Sequence, residues 1–164
     1  MIELRTPNEI DEMRAAGAFV AEVLTELTAA SAVGVNLLDL DALAHRMIRA
    51  RGAESCYIDY HPSFGAMPFG KVLCTSVNDA VLHGLPRDQK LRDGDNVSLD
   101  FAASVDGWVA DSAITCFVGT PRDEDVRMNR DDAQAPSCTA QFGRRRRGTN
   151  PSATARNEIW DRSS

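Results

Sequence analysis

An Asp106-Gly107 pair between two apolar, β-branched stretches is the feature that most constrains how this chain can fold. Asp-Gly is a strong signal for the two-residue turn of a β-hairpin. Within the segment from Asn96 to Gly119, apolar and β-branched residues flank the pair on both sides, as strands do in a hairpin. The sequence therefore predicts a β-hairpin that turns at these two residues.

Two aspartates lie on opposite arms of this predicted hairpin. With the turn fixed, Asp100 faces Ala113 and Asp111 faces Ala102. Because side chains alternate along a strand, both carboxylates lie on one face as diagonal neighbours. Carboxylates that close repel unless a proton or a cation lies between them. Two interpretations stay open, an accident of a solvated surface and a site for a divalent cation such as Mn, Mg, Ca, Fe, Co or Zn.

Composition places the chain among globular proteins. It has 164 residues, 43% of them hydrophobic, which suits one domain with a core of its own. We expect no membrane segment and no signal peptide. The four cysteines, at positions 56, 74, 116 and 138, show no CxxC spacing, so neither a zinc knuckle nor a redox motif is indicated. A reduced, cytoplasmic environment is the default expectation. The net charge of −6 argues against nucleic acid as the main partner.

The charge changes sign along the chain. Residues 1–127 contain 11 Lys and Arg and 20 Asp and Glu, whereas residues 128–164 contain seven Arg, no Lys and four acids. The second segment has few large apolar residues and cannot bury enough surface to offset its ordering entropy. We predict a domain over 1–127 and a disordered, Arg-rich tail over 128–164. Any nucleic-acid contact would be a weak one through Arg144–Arg147.

The order of the remaining elements indicates the α+β class. The first helix should begin at Pro7 with Thr6 as its N-cap. The second should have Asn36 as its N-cap and end at Gly52. The predicted elements are helices over 7–29 and from Asn36 to Gly52, a loop over 56–70, strands over 71–76 and 80–83, and the two hairpin strands. Helices followed by adjacent strands predict helices packed on an antiparallel sheet.

Several motifs resemble those of type I methionine aminopeptidases. The segment Ser76–Pro86 resembles the family's substrate-histidine motif, and the segments Leu91–Asp100 and Gly107–Ala113 resemble its two metal-aspartate motifs. The opening helix and Tyr60-His61 ahead of Cys74 also match. The resemblance covers residues 1 to about 127.

This resemblance implies a fold, a chemistry and a set of roles. The fold would be the first half of the pita-bread fold, which has two pseudo-symmetric halves around a dinuclear metal centre. Asp100 would hold one metal, Asp111 would bridge both, and His83 would orient the substrate in catalysis. Substrate contacts near the methionine pocket would come from Tyr60, His61 and Cys74. The implied activity is removal of the N-terminal methionine from nascent polypeptides with Co, Mn, Fe, Zn or a similar divalent metal.

Three of these residues could instead have purely structural roles. His83 could satisfy a loop carbonyl, and His61 could be an ordinary loop histidine. Cys74 could simply pack as a small apolar side chain.

The chain departs from the family after Asp111. The family completes its site with one histidine and two glutamates from the second half. Here the last histidine is His83, and the later glutamates are Glu124 and Glu158, neither in a matching context. We therefore expect a truncated chain, inactive alone, with a frameshift-like sequence after residue 127.

Two alternatives to the truncated enzyme stay open. One is a non-enzymatic peptide-binding module derived from the same fold. The other is a metal-free hydrolase that uses a carboxylate pair, such as a glycosidase, which the scarcity of aromatic residues does not support.

Overall fold

The computed structural model describes residues 4–61, 67–123, 125 and 127, together with the backbone of 141–144. Elements are numbered in chain order. They are α1 (Pro7–Ala30), α2 (Leu37–Arg51), β1 (Glu54–Ser55), β2 (Cys74–Val77), β3 (Asn96–Val105), β4 (Trp108–Phe117) and β5 (Gln141–Arg144).

Both helices begin and end where local chemistry predicts. The Thr6 hydroxyl accepts from the Glu9 N–H while the Glu9 carboxylate accepts from the Thr6 N–H, which forms a capping box at the start of α1. Asn36 caps α2 through the Leu38 N–H, and Gly52 ends it at a φ of 67°. The predicted helix bounds are confirmed to within one residue. Among the residues that the structure describes, no helix is long and apolar enough to cross a membrane.

Strand β3 is the centre of an antiparallel sheet. It pairs with β4 along its whole length on one edge, while β1 and β2 follow one another along the other edge. The predicted α+β architecture, with helices packed on an antiparallel sheet, is confirmed. β2 covers Cys74–Val77 rather than the predicted 71–76.

The predicted strand over 80–83 is wrong. Asn78 and His83 both have positive φ, at 56° and 54°, and such backbone cannot continue a ladder. The chain instead forms a loop that returns to β2, where the Thr75 N–H donates to the Gly84 carbonyl at 2.7 Å.

The helices cover one face of the sheet. Along β3, Val97, Leu99, Phe101, Ala103 and Val105 are all buried and belong to the main core. Phe19 of α1 meets Phe101 edge to face, with ring centroids 6.2 Å apart. Since side chains alternate along a strand, Asp100 belongs to the opposite face, away from α1. The core thus fixes which face of the sheet is free to carry a site.

The Arg-rich segment contains one described element. The backbone of Gln141–Arg144 pairs antiparallel with the first residues of β4, from Asp111 to Trp108. The sequence did not predict this strand, so for these four residues the structure differs from the predicted absence of regular structure. The rest of 128–164 lies outside the described residues, and the tail and the domain boundary at 127 stay predictions.

The loop after β2 exposes several apolar side chains. Val81, Leu82 and Leu85 are 86%, 61% and 50% exposed. Exposed apolar residues that lie close together favour association. We expect the sedimentation coefficient to rise with protein concentration, and the triple substitution V81S, L82S and L85S to reduce that rise. A wild-type chain that stays monomeric across the concentration range would contradict this expectation.

Candidate metal centre

The hairpin has the predicted turn and register. Asp106 and Gly107 have φ of 51° and 84°, as a two-residue type I′ turn requires. Asp100 pairs with Ala113, and Ala102 pairs with Asp111, which confirms the register predicted from the sequence. The two aspartates are therefore diagonal neighbours on the sheet face opposite α1.

A tyrosine joins the two carboxylates. The Tyr57 hydroxyl donates to Oδ1 of Asp100 at 2.7 Å and lies 3.2 Å from Oδ1 of Asp111. Because both oxygens lie within hydrogen-bond distance of one atom, they converge on a single point in space. The side chains of all three residues are partly buried.

The position of Tyr57 is set by backbone pairing and by a ring contact. β1 pairs with β3, and the Cys56 N–H extends this pairing to the Ala102 carbonyl at 3.4 Å. Tyr57 comes next in the chain, and its ring meets Phe69 edge to face at a centroid distance of 6.1 Å. Sequence analysis missed Tyr57 because it lies inside a segment predicted only as a loop. No local pattern indicates that a two-residue strand places it against β3.

Burial and mutual repulsion make this cluster hold protons tightly. Burial, followed by the neighbouring charge of Asp100, raises the pKa of Asp111 to about 6, and the hydrogen bond from Tyr57 lowers it in part. Burial and the two carboxylates also raise the pKa of the Tyr57 hydroxyl and that of the Cys74 thiol well above their usual ranges. A bound cation would relieve the repulsion that raises the Asp111 pKa.

The shift at Asp111 predicts how stability changes with pH in metal-free protein. A carboxyl group whose pKa is raised in the folded state stabilises the fold while protonated, and that contribution is lost as pH rises from about 4 through about 6. Asp111→Asn should therefore be more stable than wild type at pH 7.5, by about 1–2 kcal/mol after solvent screening is allowed for. The difference should vanish near pH 3.5.

Urea unfolding in EDTA at both pH values would measure this difference. Asp106→Asn, which removes an exposed carboxylate from the turn of the same hairpin, controls for the loss of one charge. A wild-type chain at least as stable as Asp111→Asn at pH 7.5 would contradict the prediction.

The remaining predicted site residues lie on β2 and in the loops on either side of it. Cys74 is buried directly opposite Asp100, because β2 pairs with β3 at this position. Tyr60 is half-buried, with its N–H bonded to the Tyr57 carbonyl at 2.9 Å, and His61 is exposed at the end of the described segment.

His83 lies in the loop after β2. Its backbone conformation is left-handed, with a φ of 54°, and its side chain is exposed. The next residue, Gly84, bonds to Thr75 of β2. The structure thus brings Cys74, Asp100 and Asp111 together and holds His83 beyond the outer edge of β2.

The two carboxylates fit a divalent cation in charge and in kind of donor, since hard cations take oxygen ligands. One oxygen of each carboxylate also approaches the same point, which is required if the two side chains are to bind one cation. However, no group of three or more His, Cys, Asp or Glu side chains in the described part of the chain could hold a metal ion. The pair therefore fits as part of a metal site rather than as a whole one.

Comparison with known proteins agrees with this geometry. Residues 11–160 match the model of Metallopeptidase family M24. The chain is 41% identical over 119 residues to methionine aminopeptidase of Aquifex aeolicus, covering 72% of this chain and 46% of that protein. It is 38% identical over 149 residues to methionine aminopeptidase 1 of Mycobacterium tuberculosis, covering 88% of this chain and 54% of the relative. The chain thus spans about half the length of the curated relatives that it matches.

The fold is shared with solved structures. The methionine aminopeptidase of Rickettsia prowazekii superposes with a TM-score of 0.72 at 33% identity, covering 77% of this chain and 49% of that one. The helices on an antiparallel sheet described above are accordingly part of a pita-bread fold.

Proposed function

Because the chain belongs to metallopeptidase family M24, we propose that it carries the carboxylate part of a methionine aminopeptidase metal site. The observation that supports this proposal most directly is the convergence of the Asp100 and Asp111 oxygens within 3.2 Å of one hydroxyl group. The complete site would serve the hydrolytic removal of N-terminal methionine from nascent polypeptides, in the cytoplasm.

Each site residue has a distinct role in this proposal. Asp100 would bind one metal ion, and Asp111, nearest the turn, would bridge to a second. Divalent ions such as Co, Mn, Fe or Zn would polarise the scissile carbonyl and lower the pKa of a water molecule. His83, held at the rim of β2 by the Gly84 backbone, would contact the substrate beside its reacting bond.

The pocket for the methionine side chain would lie beside Cys74. Burial and the two carboxylates raise the pKa of its thiol, so it stays neutral and packs as a small apolar group. Tyr60 would supply a further wall of this pocket, and His61 would contact the substrate from the same loop. These assignments follow the family resemblance, position by position.

A second candidate is a module that binds peptides without hydrolysing them. It is favoured by the ligand count, since the described residues offer a carboxylate pair and no group of three metal-binding side chains. Such a protein would bind a Met-Gly peptide and leave it intact, whereas the enzyme, once its site is complete, would release methionine.

Metal titration tests the proposed site. We expect the 164-residue chain to bind Mn²⁺ weakly, because water must fill most coordination positions. Asp100→Ala should abolish the binding, and Asp111→Asn should weaken it about tenfold by removing one charge from the pair.

Asp106→Asn is the matched control, since it removes a carboxylate from the same hairpin on its exposed turn, and it should leave the affinity unchanged. Calorimetry or the electron paramagnetic resonance (EPR) signal of free Mn²⁺ would report the affinity. Equal affinity in wild type and Asp100→Ala would refute the site.

A further inference from the structure

The Tyr57 hydroxyl lies within hydrogen-bond distance of both carboxylates. It is 2.7 Å from Oδ1 of Asp100 and 3.2 Å from Oδ1 of Asp111. A divalent cation bound by both carboxylates would approach the same two oxygens to about 2.0–2.6 Å. A cation that approached these two oxygens from the side of Tyr57 would therefore collide with the hydroxyl.

We propose that Tyr57 is a positioning residue that closes the site from its own side: its hydroxyl holds Asp100 and Asp111 together and must withdraw before a cation can bind both carboxylates from that side. This inference rests on the proposed metal site and adds a step that precedes metal binding.

The hydrogen bonding indicates that Tyr57 closes the site rather than serving as a metal ligand. In the 2.7 Å contact between the Tyr57 hydroxyl and Oδ1 of Asp100 the hydroxyl donates, so its hydrogen points at Asp100. The hydroxyl thus acts as a donor to an oxygen that a cation would need as a ligand. Hydrogen bonds to charged groups are among the stronger ones in proteins, so releasing this one opposes metal binding measurably.

Hydrogen bonds hold the backbone around Tyr57, so the hydroxyl can move away from the carboxylates only through its side chain. Its carbonyl accepts from the Tyr60 N–H at 2.9 Å, and its N–H donates to the Ser55 hydroxyl at 3.2 Å. The preceding residue, Cys56, is bonded to β3. The hydroxyl can therefore leave the carboxylates by rotation of the side chain, while Phe69 packs against the edge of the ring.

The test compares Mn²⁺ affinity in the 164-residue chain with and without this hydroxyl. Tyr57→Phe keeps the ring and its contact with Phe69 and removes only the oxygen. We expect it to bind Mn²⁺ about tenfold more tightly than wild type, the factor that one hydrogen bond to a charged group is worth. Thr25→Val also removes one hydroxyl, from an exposed position of α1 on the opposite face of the sheet, and should leave Mn²⁺ affinity unchanged.

The melting temperature, measured with and without Mn²⁺, distinguishes the proposed closing role of Tyr57 from a general effect on folding. In EDTA, Tyr57→Phe should melt at a lower temperature than wild type, because the two carboxylates lose their shared donor. Saturating Mn²⁺ should then raise its melting temperature by more than it raises that of wild type. Should Tyr57→Phe fail to fold, Tyr57→Leu removes the same hydroxyl and takes its place in both measurements.

The outcomes distinguish this inference from the proposed site. If Mn²⁺ binding requires Asp100 but Tyr57→Phe binds no more tightly, the site stands and the closing role of Tyr57 is overturned. Weaker binding by Tyr57→Phe would also overturn it and would make Tyr57 a ligand. If binding does not depend on Asp100, the proposed site fails, and the inference fails with it.

Discussion

Methionine release by the purified 164-residue chain should stay at background, even with Mn²⁺, Co²⁺ or Fe²⁺ added to a Met-Gly or Met-Ala peptide. The reason is the number of ligands. Asp100 and Asp111 offer at most four carboxylate oxygens, and no histidine follows His83 in the sequence. A two-metal centre that clamps attacking and leaving groups needs more protein ligands at about 3.5–4 Å metal spacing. Release of free methionine, measured by an enzyme-coupled amino-acid assay, tests this directly.

Completing the site should restore the activity. A chimera of residues 1–119 with the second half of a methionine aminopeptidase would supply the histidine and two glutamates that the family resemblance implies for a complete site. We expect metal-dependent turnover in this chimera, and His83→Ala should then lower it about a hundredfold, as loss of a positioned polar group in catalysis typically does. Metal-dependent release by the 164-residue chain itself, abolished by Asp100→Ala, would show that this part of the fold carries more of the site than its ligands suggest.

The second large effect is expected at Gly84, which has no room for a side chain. A Cβ atom at this position would collide with the Thr75 carbonyl oxygen, and would lie 2.7 Å from the Thr75 carbonyl carbon and 2.9 Å from the Ser76 Cα. These are backbone atoms of β2 and cannot rotate away. The close approach is the one that lets the Thr75 N–H donate to the Gly84 carbonyl and the Gly84 N–H donate to the Ser76 hydroxyl.

Gly84→Ala should therefore destabilise the chain by about 3 kcal/mol, with a fall in melting temperature of about 10 °C. Gly52→Ala is the matched control, since no atom lies within 4 Å of its added Cβ and its φ of 67° is the only obstacle. It should cost about 1 kcal/mol. Thermal unfolding followed by circular dichroism would measure both, and equal losses in the two variants would contradict the steric argument.

The sequence was most informative where structure depends on neighbours along the chain. Thr6 with Glu9 and Asn36 with Gly52 determine the helix ends, because capping needs only residues within one turn. Asp106-Gly107 determines the hairpin register, because both residues must adopt positive φ and the arms then pair without freedom to slip. The register in turn places Asp100 and Asp111 on one face. The resemblance to methionine aminopeptidases, inferred from the motifs around these positions, is confirmed by the comparisons.

Local sequence was a poor guide over 80–83. The apolar residues there suggested a strand, yet the structure is a loop with His83 in a left-handed conformation. The loop is held to β2 through Gly84, whose close contact with Thr75 depends on how two separate segments meet.

Tyr57 is the feature that only the tertiary structure decided. It follows a two-residue strand within a segment that has no periodicity, and its partners lie 43 and 54 residues further along the chain. Which tyrosine of that loop reaches the carboxylates depends on the pairing of β1 with the far end of β3. Turn and capping chemistry act within a few residues and are written in the local sequence. A contact between distant side chains exists only once the sheet has formed and the core under it has fixed which face each strand presents.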